Sequence, residues 1–160
     1  MVGKILSLDE SKKVTQQLHA AKKRIILAGG CFDILHIGHI TFLEKAKKKG
    51  DVLVVLLESD EKIKKLKGRY RPINSQEDRA KILTSLTVID YVIPLPPIYD
   101  DQEYDELVFT LKPAIIATTA GDPFRFHKER SAEKINAKVV DVIPLINDKS
   151  TTRLFHLLKK

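Results

Sequence analysis

The chain has no tryptophan, a single cysteine and no long apolar run. Each absence removes a class of protein. One thiol, Cys31, cannot build an intramolecular disulfide framework and is compatible with a reducing cytosol. No stretch approaches the roughly 20 apolar residues of a membrane-spanning helix. The start, MVGKILSLDESKK, lacks the apolar core of a secretory signal. A cytoplasmic protein that does not engage a membrane is therefore expected. Aromatic residues make up only 6% of the chain, too few for the stacking surface of a single-strand nucleic-acid binder. Internal repeats, low-complexity segments and linkers are also missing.

What is present fits one compact enzyme. The 160 residues are 43% apolar and 31% charged, enough for a core and ordinary for a soluble chain. A single domain over residues 1–160 is expected, with residues 1–22 as a leading helix packed on it. Net charge is +7, from 28 basic and 21 acidic residues, which suits an anionic partner. Nucleic acid, anionic lipid and phosphorylated small molecules all qualify on charge alone. Much of the excess is local. Lys45, Lys47, Lys48 and Lys49 close one helix, where cations complement the dipole. Lys62, Lys64, Lys65, Lys67, Arg69 and Arg71 crowd a second segment, whose later part is expected to be a loop able to close over a polyphosphate.

Hydrophobic patterning alternates strands with helices. Ser7 and Glu10 form a capping box before a helix carrying Val14, Leu18 and Ala21. Strands are predicted at about 24–28, 52–57, 91–94, 114–117 and 138–143. The helices between them cover about 36–49, 60–66, 76–86, a segment ending near 112, and 127–136. Gly50 is the expected stop of the second helix, and a last helix runs from Ser150 to about Leu158. The pattern predicts a doubly wound, five-stranded parallel sheet of Rossmann-like α/β class with right-handed crossovers. Ligands of such sheets bind beyond the carboxyl ends of the strands. The glycine turn, the GRYRPIN loop, the AGDP loop and the KSTT turn all follow strands or βα units and are expected at that edge.

The chemistry concentrates in GGCFDILHIGH, residues 29–39, between the first predicted strand and the next helix. Backbone N–H groups at a helix start lack internal partners and favour an anion. Gly29 and Gly30 permit a sharp turn and close approach of backbone to ligand, and Gly38 removes a side chain from the first helical turn. His36 and His39, three apart, share one face and can donate to phosphate oxygens that gain charge as a phosphoanhydride breaks. A pair of capping or solvent-facing histidines is the plainer alternative. Cys31 reads as a small buried filler rather than a reactive thiol.

These residues resemble the HxGH nucleotidyltransferase superfamily, whose element G-x-F-D-x-x-H-x-G-H appears as Gly30-Cys31-Phe32-Asp33-Ile34-Leu35-His36-Ile37-Gly38-His39. Within it the chain resembles the adenylyltransferase domain of bacterial ADP-heptose synthase. That domain's further motifs have counterparts in Lys64-Lys65-Leu66-Lys67-Gly68, Arg71-Pro72-Ile73-Asn74, Glu77-Asp78-Arg79 and Ser150-Thr151-Thr152. The match runs from about Ile5 to the C-terminus. Glycerol-3-phosphate cytidylyltransferase is similar but matches the KLKG and RPIN segments less well.

The resemblance implies an enzyme that transfers a nucleoside monophosphate from a nucleoside triphosphate, ATP favoured, to a sugar phosphate such as heptose 1-phosphate, releasing pyrophosphate. Mg²⁺ is implied with the triphosphate, without protein metal ligands of its own. By the same resemblance His36, His39, Lys67 and Arg79 are the catalytic set, with Arg79 at the edge of the site on phosphate. Gly30, Cys31, Phe32, Asp33, Gly38, Asp122, Ser150, Thr151 and Thr152 are implied to bind nucleotide. A homodimer is expected. So is a separate sugar kinase in the same pathway, because the kinase domain fused to many heptose enzymes is absent.

The chain departs from the pattern in places. Thr119-Ala120-Gly121-Asp122 stands where the family usually has K-G-G-D, and Arg125 is a candidate to replace the missing charge. Asn147-Asp148-Lys149 replaces a turn where glycine is usual, and residues 96–101 look private to this chain. FMN or glycerol 3-phosphate as acceptor, with CTP as donor, are alternatives the residues leave open. A class I aminoacyl-tRNA synthetase also carries HIGH, but its K-M-S-K-S has only a loose echo in Lys149-Ser150-Thr151-Thr152-Arg153, and 160 residues leave no room for a tRNA-binding domain. A non-enzymatic nucleotide- or nucleic-acid-binding protein is the remaining alternative.

Overall fold

A computed structural model describes residues 3–98, 100–144, 153 and 156. Its elements in chain order are β1 (Lys4–Ile5), α1 (Leu8–Ala20), β2 (Ile25–Gly30), α2 (Ile37–Lys47), β3 (Val52–Leu57), α3 (Asp60–Lys67), α4 (Gln76–Thr84), β4 (Tyr91–Pro94), α5 (Asp101–Leu111), β5 (Ile115–Thr119), α6 (Arg125–Glu133) and β6 (Lys138–Ile143). All neighbouring strands run parallel, in the order β1-β4-β3-β2-β5-β6. The parallel α/β class is as the alternation predicts. Among the described residues the sheet has six strands where five were expected. Lys4 and Ile5 add an edge strand beside Tyr91 and Val92, too short to leave a periodic signal.

Period-2 side-chain alternation divides the core into two layers. Ile26, Ala28, Leu53, Val55 and Leu57 face α2 and α4 through Leu43, Ala46, Ala80 and Leu83. Ile25, Leu27, Val54 and Leu56 face the opposite side, with Val108, Leu111 and Ala132. Every residue of β3 is buried, as a central parallel strand requires. The leading helix α1 carries the expected capping box, and Leu8, Val14 and Leu18 pack on the second layer. Its most buried residues are polar. Ser11 and Thr15 satisfy their hydroxyls on the carbonyls of Leu8 and Ser11, at 2.7 and 2.8 Å.

Gly50 differs from the expected helix stop. α2 ends at Lys47, and Gly50 does not adopt the left-handed conformation of a cap. A Cβ there would meet Ile26 Cδ1 at 2.6 Å and the Arg24 carbonyl at 2.7 Å, so close packing explains this glycine. Ile98, within the private 96–101 segment, is buried in the second layer, and Asp100 caps α5. No helix among the described residues is long and apolar enough to cross a membrane. Of the predicted final helix only Arg153 and His156 are described, both helical, and Ser150, Thr151 and Thr152 lie outside the described residues.

Candidate active site

β2 lies at the centre of the order, where the chain turns back to build the sheet's other half. The residues after it start α2. Gly29 and Gly30 remain within the strand, and the left-handed residue of the turn is Phe32, with φ 44°. The two glycines make room for side chains. A Cβ on Gly29 would stand 3.0 Å from the Tyr104 hydroxyl, and one on Gly30 would stand 3.0 Å from the Phe32 ring. Phe32 is buried and packs against His39, with ring centroids 5.3 Å apart.

His36 is the N-cap of α2. Its Nδ1 accepts the Gly38 N–H at 3.1 Å. An accepting Nδ1 places the neutral ring's proton on Nε2, leaving that N–H as a donor. His39 stacks on it with centroids 3.9 Å apart and planes inclined by 32°. Burial pushes the His36 imidazole below its ordinary value. His39 is pushed down to about 4, by burial first and then by His36 and Lys67. Both rings are therefore neutral donors near pH 7. For His36 the cap occupies one ring nitrogen and leaves the other unused by it, so capping and donation are compatible.

Lys67 is exposed and ends α3, so it belongs to a helix terminus rather than to the loop that follows. Its charge reaches both His39 and Cys31. The Cys31 thiol is raised, chiefly by burial, which agrees with an inert filler.

The turn is tied to the later loops by two buried side chains. Asp33 takes Arg71 Nε at 2.5 Å on one carboxylate oxygen. Its other oxygen accepts the N–H groups of Ile73 and Asn74 at 2.8 and 3.0 Å. Its carbonyl accepts Asn74 Nδ2 at 2.8 Å. Arg79 is fully buried, in contrast to the expected place at the edge of the site. It donates to the carbonyls of Asn74, Cys31 and Glu58 at 3.1, 2.6 and 2.9 Å, and to Asp60 Oδ1 at 2.7 Å. Such a guanidinium fastens the ends of β2 and β3 and the start of α4 to one another.

On the other flank, β5 pairs directly with β2, which places Asp122 just beyond a neighbouring strand end. Its carboxylate accepts Thr118 Oγ1 at 2.7 Å, Lys128 Nζ at 2.5 Å and the Phe124 N–H at 2.9 Å. These contacts hold it below the usual carboxylate range against the effect of burial. Arg125 is occupied by Glu129 at 2.6 Å and by Asp141. Glu58 and Tyr104 escaped sequence reasoning. A lone glutamate after an apolar strand and a tyrosine in an acidic helix carry no motif. Arg71 stood within a recognised segment, but nothing in the spacing pairs it with Asp33.

A family model described as cytidylyltransferase-like matches residues 27–154. The bifunctional protein HldE of a Nitratiruptor species is 41% identical over 155 residues, covering 97% of this chain and 32% of that protein. HldE of Campylobacter fetus is 40% identical over 156 residues, covering 98% and 31%. The chain thus spans about a third of the length of these relatives. Among solved structures, a lipopolysaccharide core biosynthesis protein from Thermoplasma volcanium superposes with a TM-score of 0.62 at 27% identity, covering 78% of this chain and 97% of that one. The pantoate-beta-alanine ligase of Francisella tularensis reaches a TM-score of 0.66 over 99% of this chain and 80% of that one, but at 15% identity it shares the fold alone. The match over residues 27–154 makes this chain a member of the cytidylyltransferase-like family of nucleotidyltransferases, homologous to about a third of the bifunctional protein HldE.

Proposed function

We propose that this enzyme joins the nucleoside monophosphate of ATP to a sugar phosphate, heptose 1-phosphate, with release of pyrophosphate. The observation that carries the reading is the stacked pair of neutral imidazoles, His36 and His39, at a helix N-terminus beyond the central parallel strand. That arrangement offers N–H donors and a favourable dipole to phosphate oxygens. The relation to HldE favours ATP and a heptose phosphate over CTP and glycerol 3-phosphate.

In this reading a phosphate oxygen of the acceptor attacks the α-phosphorus. The bond to the bridging oxygen breaks, and pyrophosphate carries away the electron pair. The attacking phosphate is already an anion, so no side-chain nucleophile or general base is required. His36 and His39 donate to oxygens that gain charge, and Lys67 adds a cation from the end of α3. Asp33 and Arg79 act through position, holding the turn and loops in place. Asp122, with Thr118 and Lys128, faces the nucleotide from the β5 flank. Ser150, Thr151 and Thr152 contribute hydroxyls to the phosphates.

Mg²⁺ would enter with the triphosphate. The described residues contain no group of three or more metal-ligating side chains, and Asp33 and Asp122 already have hydrogen-bond partners on both carboxylate oxygens. That donor set fits an ion held mainly by phosphates and water, which is the ordinary manner of Mg²⁺. When bound, the ion neutralises charge on the triphosphate. The decisive experiment measures pyrophosphate release across ATP, CTP, GTP and UTP against heptose 1-phosphate, glycerol 3-phosphate and FMN. Release with ATP and heptose 1-phosphate is expected, and absence of release from every pair overturns the proposal.

A further inference from the structure

Glu58 takes no part in the steps above. It is the first residue beyond β3, and its N–H donates to the Gly30 carbonyl at 3.1 Å. Its own carbonyl accepts Arg79, so its backbone is fixed on both sides. Two residues earlier, Leu56 faces the layer that contains α5, and alternation turns Glu58 to that same side. There one carboxylate oxygen, Oε2, is buried with no hydrogen-bond partner. The cations nearest to it are committed elsewhere. Lys62 Nζ donates to the Ile98 carbonyl at 2.5 Å, and Arg79 donates to three carbonyls and Asp60. Burial consequently outweighs Lys62 and Arg79, and the Glu58 carboxyl is raised. The other titratable groups it faces are Cys31 and Tyr104, both raised by burial first and by its charge to a lesser degree.

Native folds leave few buried polar atoms unpaired, and one beside a ligand site asks for a partner from outside the chain. The Tyr104 hydroxyl reaches the same edge, 3.0 Å from where a Gly29 Cβ would be. A carboxyl oxygen and a phenol thus stand at the ends of the paired strands β2 and β3, next to the turn that leads to His36. A carboxylate repels phosphate but accepts from a hydroxyl, and a phenol can complete a second bond to the same ring. We infer that Glu58 and Tyr104 form a hydroxyl-binding subsite that holds a sugar ring beside the phosphates. The hydroxyl can belong to the acceptor sugar or to the nucleotide ribose. The inference rests on the transferase reading for its sugar ligands.

The test is titration calorimetry of the full chain, wild type against Glu58→Gln and Tyr104→Phe, with thermal melts to confirm folding. The probes are heptose 1-phosphate and its singly deoxygenated analogues, and a non-hydrolysable ATP analogue with its 2′- and 3′-deoxy forms. Removing one hydroxyl should weaken wild-type binding about tenfold, the worth of one hydrogen bond to a charged group, and should change Glu58→Gln binding little. Steady-state KM for that substrate should rise about tenfold in the variant with kcat within about a factor of two. A sensitive hydroxyl on the heptose locates the acceptor, and one on the ribose locates the nucleotide; either supports the subsite. The inference is overturned if the variants weaken every analogue equally, if only the Mg²⁺ requirement changes, or if the wild type binds no probe. Hydroxyl coupling without pyrophosphate release would remove the transferase reading and leave the subsite. Release without coupling would remove the subsite alone.

Discussion

The Asp33 carboxylate and the Arg71 guanidinium meet at 2.5 Å with 0% and 3% of their side chains exposed. They join the turn after β2 to a loop 38 residues later. Removing one member of a buried pair leaves the other charged and unsatisfied, at a cost of about 3–5 kcal/mol. Asp33→Ala should therefore lower the unfolding free energy measured by urea titration by that order, with a lower midpoint, and raise KM for both substrates, as the Arg71–Asn74 loop loses its anchor. An unchanged midpoint would show that the pair contributes nothing net.

Loss of either imidazole should lower kcat by roughly 10²–10³, the effect of removing one donor to developing charge. His36 permits a sharper test because it also caps α2. His36→Asn keeps a good cap, so it should restore stability relative to His36→Ala without restoring turnover. Recovery of both together would reduce His36 to a capping residue.

His39 titrates at about 4 in the folded protein against 6.5 for an unperturbed imidazole. A depressed histidine contributes stability that is complete above the unfolded value and is lost as pH falls from about 6.5 to 4. The difference in unfolding free energy between wild type and His39→Gln should therefore change across that window and be flat above it. Turnover should be level between pH 7 and 8, since neither imidazole changes charge there. A difference curve that is flat from pH 7 down to 4 would contradict a buried neutral His39.

Gly50→Ala should destabilise the fold by about 1–3 kcal/mol through overpacking against Ile26 and the Arg24 carbonyl. A glycine that merely ended α2 would be relieved by Asn, which tolerates the left-handed region. Here Gly50→Asn should be at least as damaging as Gly50→Ala in a urea titration, and rescue by Asn would restore the helix-stop reading.

The strands and capped helices were legible because each is a local pattern. Val52–Leu57 and Tyr91–Pro94 match their predicted spans, and Ser7 caps the helix it precedes. The edge strand Lys4–Ile5 was not, since two residues carry no period and the strand it pairs with is 87 positions away. In the site, the histidine turn announces itself by spacing, whereas Arg79, expected at the edge of the site on phosphate, turns inward because three backbone carbonyls converge on it. Glu58 and Tyr104 meet only through the register of β2 on β3 and the packing of α5, and no local pattern encodes that.

Arg79 grips backbone oxygens at Cys31, Glu58 and Asn74, not the side chains of those residues. At these three positions the grip of Arg79 is consequently indifferent to which side chain projects. Positions such as 58 are free to exchange one functional group for another while the frame keeps its shape. Frame and side-chain chemistry are therefore separable at these three positions, so single replacements there can alter the chemistry offered at the strand ends and leave the histidine turn untouched.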